Sequence, residues 1–123
     1  MRYDPESAPD PVEWLATTEE GRLAAVRRHH QNAQHDTGRP QLHAAIHVAV
    51  ETQLAERHPA ATDAMSRLVA TGLRRHEALH ALGSVVAAEM FDIVKSKRTH
   101  DPEAYARKLQ DLTAAAWRKG DGE

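Results

Sequence analysis

The chain has 123 residues, with 16 Lys and Arg against 18 Asp and Glu for a net charge of −2, nine histidines and no cysteine. That length serves one domain with a single core, and the near-neutral balance argues against a protein held on nucleic acid by a broad cationic face. Without cysteine there are no disulfides, no thiolate metal sites and no cysteine nucleophile, so any metal chemistry must use imidazole and carboxylate.

Alanine is the commonest residue and no alternating run is long enough for a strand, so the reading is all-α, a single-domain bundle or orthogonal array of four to five helices. The opening MRYDPESAPDPVEW lacks the apolar centre of a signal peptide, and no later segment approaches about 18 uninterrupted apolar residues. A soluble, cytoplasmic protein is expected. Residues 1–10 are predicted to be an irregular leader with little to bury, followed by one helical domain over 11–118 and a polar tail at 119–123.

Within that domain Pro11 opens a short helix. Thr17 and Thr18 can cap the next, EEGRLAAVRRHHQNA, with Leu15, Leu23 and Val26 inward and its end at a turn near Gly38. Pro40 suits the first turn of a helix running to about His58, where Pro59 stops it. Thr62 or Asp63 caps a shorter helix closed by Gly72. The longest and most apolar helix covers about residues 74–97, with Leu79, Leu82, Val86, Met90 and Ile93 as its inward stripe. Asp101 and Pro102 start a fifth, reaching about Arg118, with Tyr105, Leu109, Leu112 and Trp117 facing in.

The chemistry concentrates in LHAAIHVAVETQL, residues 42–54. Leu42, Ile46, Val50 and Leu54 form one row, and His43, His47 and Glu51 form another beside it. Residues four apart on a helix differ by about 40° and about 6 Å along the axis, so an HxxxH pair can place two rings on one ion. His76 and His80 make a second pair in the longest helix. If the rows face each other, His43, His47, His76 and His80 with Glu51 supply a donor set for a divalent transition metal, zinc, iron or copper, and not for calcium or magnesium. Nine histidines in 123 residues give roughly 0.6 such pairs by chance, so context carries the argument. Both pairs lie in the two most apolar helices, where a polar ring needs a partner.

HEALH, residues 76–80, also matches HExxH literally, with His76 and His80 as ligands and Glu77 as general base. Against a protease stand the small size and the lack of a strand to align a peptide. Glu51 and Glu77 are therefore the candidate catalytic groups if this is an oxidoreductase or hydrolase acting on a small molecule. His29 and His30 suit a helix C-terminus, with His30 an added ligand if its helix packs over the site; His35 and His58 suit loops, and Glu89 falls on the wrong face. Gly83 and Ser84 read as close packing. The competing reading is a non-enzymatic interaction module or homodimer whose histidines form a metal-free, hydrogen-bonded core edge.

The pairing of LHAAIHVAVETQLA with LRRHEALHALGSVVAAEMFDIV resembles a family of small bacterial helical proteins of unassigned function, in which an HxxxH helix precedes a helix of the form RHEAxHxxG. The likeness covers roughly residues 10–97 and rests on His43, His47, Glu51, Gln53, His76, Glu77, His80 and Gly83. It implies the helical fold and a grouping of the histidines, and it does not extend to the helix from Asp101.

Overall fold

The computed structural model describes residues 1–32 and 40–120, so the predicted turn at Gly38 and His35 lie outside the described residues. Among them are seven helices: α1 (Pro11–Ala16), α2 (Glu19–Asn32), α3 (Pro40–Ala55), α4 (Pro59–Ala70), α5 (Arg75–Ser96), α6 (Pro102–Gln110) and α7 (Ala114–Gly120). The all-α reading holds. No helix among the described residues is long and apolar enough to cross a membrane.

α3 and α5 pack along one another at the centre, with α2 and α1 against α3, and α4 and α6 against α5. Gly83 permits the close approach of the central pair: a Cβ there would lie 2.7 Å from Ile46 Cγ2 on α3. The contact fixes α3 against α5 within a turn of both histidine pairs.

Two apolar clusters flank α3. Val50 joins Leu68, Leu73, Leu79, Leu82, Tyr105 and Leu109, while Ala44 and Val48 join Tyr3, Trp14, Ala25 and Val26. On a helix of 3.6 residues per turn the His43, His47 and Glu51 row falls between those two rows. The polar row is therefore enclosed on both sides rather than lying at a core edge.

Several boundaries differ from expectation. α4 begins at Pro59, not Thr62, because the His58 Nδ1 accepts from the Ala61 backbone N–H at 3.2 Å and caps it. His58 is thus a cap rather than a loop residue. The fifth expected helix is split into α6 and α7. The Leu109 and Leu112 carbonyls accept from the Arg67 guanidinium, and Thr113 Oγ1 accepts from Ala116 N–H to start α7. Gly72 has φ +115°, as its role after a helix end requires. Met90, expected inward, is exposed together with Phe91 and Val94, the last two 67% and 78% exposed.

The leader is irregular in backbone but does bury side chains. Tyr3 is 5% exposed and Pro5 is fully buried. The Pro5 carbonyl accepts from Arg75 at 2.9 Å, and Glu6 accepts from the His76 backbone N–H at 3.1 Å while pairing with Arg74. Residues 3–6 are thereby fastened across the first turn of α5.

Candidate metal centre

Four histidines meet where α2, α3 and α5 converge. One ring nitrogen from each of His30, His43, His47 and His76 lies within 4.8 Å of the others. His80 stands beside them, its ring centroid 4.5 Å from that of His76, 5.0 Å from His43 and 5.3 Å from His47. The Nε2 atoms of all five are shielded from solvent. The two HxxxH rows therefore do face each other, and His30 joins the tightest group where His80 was expected.

The spacing of the rings can be compared with what one ion would demand. A ligating imidazole nitrogen sits about 2.0–2.1 Å from the ion and its ring centroid about 1 Å further, so two ligands at a tetrahedral angle have centroids about 5 Å apart. The pairs His30–His43, His30–His47, His43–His47 and His47–His76 lie at 4.5, 5.0, 4.7 and 5.3 Å. His30 and His76 lie further apart, at 6.3 Å, wider than that tetrahedral spacing.

The ring tautomers of two of these histidines follow from their partners. A carbonyl can only accept, so the contact of 2.8 Å between His30 Nδ1 and the Val26 carbonyl puts a proton on Nδ1, and in the neutral ring the lone pair is then on Nε2. Tyr3 donates its hydroxyl to Glu51 Oε2 at 2.6 Å, so it accepts from His47 Nδ1 at 3.0 Å, which again leaves the lone pair on Nε2. His47 Nε2 is buried with no hydrogen-bond partner among the described residues. Burial, followed by the neighbouring His43, His80, His30 and His76, pushes the His47 pKa down to about 2. His47 is consequently a neutral base throughout the physiological range.

Glu51 is 2% exposed and lies one turn along from His47, outside the tight donor group. Arg75 clamps it with Nη1 to Oε2 at 2.8 Å and Nη2 to Oε1 at 2.7 Å. Both oxygens thus accept from Arg75, and Glu51 reaches His47 through the Tyr3 hydroxyl. The paired charges have opposite consequences nearby. Burial, then the Glu51 charge and hydrogen bond, raises the Tyr3 pKa far above its ordinary value, so the hydroxyl stays protonated. Burial opposes the Arg75 charge, but the hydrogen bonds and attraction of Glu51 outweigh it and raise that pKa.

Glu77 accepts from the Arg74 backbone N–H at 3.3 Å, which makes it part of the cap of α5. It also lines an open cleft of about 400 Å³ with Glu6, Arg74, His76 and His80. That cleft gives the histidine cluster a face toward solvent. Glu89, set aside in the sequence reading, is far from all of this. It is bound by Arg98 at 2.7 Å, His100 at 2.8 Å and Lys108 at 3.5 Å, in a network that ties the end of α5 to α6.

Sequence reasoning underrated His30 and missed Tyr3 and Arg75. A signal for His30 existed: Leu23, Val26 and His30 are spaced i, i+3, i+7, so it continues the inward stripe of α2. None existed for Tyr3, which comes from an aperiodic leader and meets α3 across 44 residues of chain.

Fold and site together define a small all-α protein organised around a buried histidine cluster. The chain belongs to the family described as a domain of unknown function (DUF1841), whose model matches residues 13–111. The match takes in α6, which the sequence resemblance had left out. No curated protein and no solved structure matches the chain.

Proposed function

We propose that this protein binds a divalent transition metal through His30, His43, His47 and His76, with His80 as a fifth ring at its side. The observation that carries the reading is four imidazole nitrogens from three helices within 4.8 Å of one another, two of them oriented by bonds at Nδ1 so that Nε2 is the donor. Such orientation from behind is what ligating histidines usually have. An all-imidazole set suits zinc, iron, copper or nickel, with hard oxygen-seeking ions disfavoured.

A metal-dependent reaction, oxidation or hydrolysis, is the further reading, and the cleft at His76 and His80 is what favours it. An ion held there would supply Lewis acidity or electron transfer. The residues of the chain would do the rest. The cleft would admit a small substrate, His47 would remain neutral, and Glu77 would take the proton in a hydrolytic step.

The test is elemental analysis of untagged protein, with an optical spectrum to separate spectroscopically silent zinc from copper(II) and iron. About one ion per chain is expected, and His47→Ala and His76→Ala should lose it. Metal-free protein with a thermal midpoint unmoved by added zinc, iron, copper or nickel would favour the metal-free interaction module instead.

A further inference from the structure

Between the first three residues and the face of α2 that carries Ala25, Arg28 and His29 lies a second cleft, of about 520 Å³. This is within the size range of small-molecule sites, about 300–1,000 Å³. It is lined by Met1, Arg2, Tyr3, Ala25, Arg28 and His29. Ala25, Arg28 and His29 are spaced i, i+3, i+4 and so share one face of the helix. The wall is rigid, because the Tyr3 ring is buried, anchored at its hydroxyl by Glu51 and His47, and packed on Trp14 at 5.9 Å.

The lining contains two guanidiniums and no carboxylate. Neither Arg2 nor Arg28 forms an ion pair among the described residues. The dipole of α2 accounts for cations in its last turns. It does not account for Arg2, which comes from another segment to line the same cleft, and like charges brought together repel unless an anion compensates them.

We propose that this cleft binds a small anion with a flat apolar body, a carboxylate or a phosphate monoester. Its charge is held by Arg2 and Arg28, whose forked donors match an oxyanion in two parallel hydrogen bonds. Its body rests on the Met1 side chain and against the edge of Tyr3 that lines the cleft. A ligand so placed is one side chain from the histidine centre, since the hydroxyl of the same tyrosine holds His47. The binding itself does not require a metal.

The experiment uses the chelator-treated 123-residue protein titrated with benzoate, phenyl phosphate and inorganic phosphate, followed by backbone amide NMR shifts. Saturable shifts confined to residues 2–4 and 25–30 are expected for at least one aromatic probe. Benzoate or phenyl phosphate responding alone would assign carboxylate or phosphate respectively. Arg2→Gln and Arg28→Gln should each weaken binding about tenfold, the worth of one charge-assisted hydrogen bond. Arg107→Gln on α6 should leave it unchanged. Shifts that fail to saturate, that survive both cleft substitutions, or that are equally strong with inorganic phosphate in place of the aromatic probes would overturn the proposal. Because metal is removed throughout, a negative result here leaves the histidine centre's own test untouched.

Discussion

Tyr3 and Glu51 set the terms at the scale of single residues. Tyr3→Phe removes one hydroxyl, takes one of two donors from Glu51 Oε2 and leaves the buried His47 Nδ1 donor without its partner, at a cost of about 1–3 kcal/mol. Glu51→Ala goes further, stranding the Arg75 guanidinium, whose side chain is 14% exposed, and should cost about 3–5 kcal/mol. Urea denaturation of the two variants should rank them in that order. If the centre holds a metal, Tyr3→Phe should also weaken its binding by about tenfold or more, because His47 loses the group that orients it. The same histidine makes a pH prediction. In the unfolded chain it titrates near 6.5, whereas in the fold it stays neutral down to about 2. Between those values only the unfolded chain takes up the proton, so stability is present above 6.5 and is lost as pH falls. The urea midpoint of metal-free protein should drop between about pH 7.5 and pH 5, and His47→Gln should flatten that dependence. Glu89 does not confuse the window. The hydrogen bond from Arg98, against the desolvation of its carboxylate, holds Glu89 down to about 2 from 4.5, so its contribution is lost only at lower pH.

Among the helices, the approach of α3 to α5 is the controlling dimension. Gly83→Ala gains about 1 kcal/mol of helix propensity but forces a methyl into Ile46, where overpacking costs about 1–3 kcal/mol. Stability should therefore change little or fall modestly. The sharper readout is metal retention, which should decline because the helices carrying His43, His47, His76 and His80 are pushed apart. Replacing Ile46 with Val in the same chain leaves its Cγ2 in place and should not restore retention, while Ile46→Ala should. The helical period made these rows legible, since i and i+4 share a face whatever the surroundings. It also made Gly83 legible as a point of contact. What the period cannot express is which neighbour covers each face. Leu42 and Ile46 looked like the inward row of α3, yet Ala44 and Val48 form a second buried row on the other side of the histidines. Two alanine-rich turns carry too little apolar contrast to announce a doubly covered helix. The end of α5 shows the converse: Met90 continues the inward period, but the covered face there is the one that carries Glu89, and Met90 is exposed.

For the whole molecule, the meeting of three helices and an irregular leader matters more than any one of them. Long-range contacts between residue 3 and residues 47 and 51, and between residues 5 and 75, belong to tertiary assembly and leave no local pattern. That is why the donor rows could be read while the groups orienting them could not. The placement of Tyr3 has a practical side. The family match begins at residue 13, ten positions after the tyrosine whose hydroxyl holds His47. A chain trimmed to 13–111 would keep His30, His43, His47, His76, His80 and Glu51, yet would lose that hydroxyl, the Pro5 carbonyl on Arg75 and the Glu6 cap of α5. Such a chain should unfold at lower urea than the full one, and its His47 ring should exchange Nδ1 protons with water faster by NMR. Shared ancestry marks out a region of sequence, whereas this imidazole needs atoms that lie beyond it.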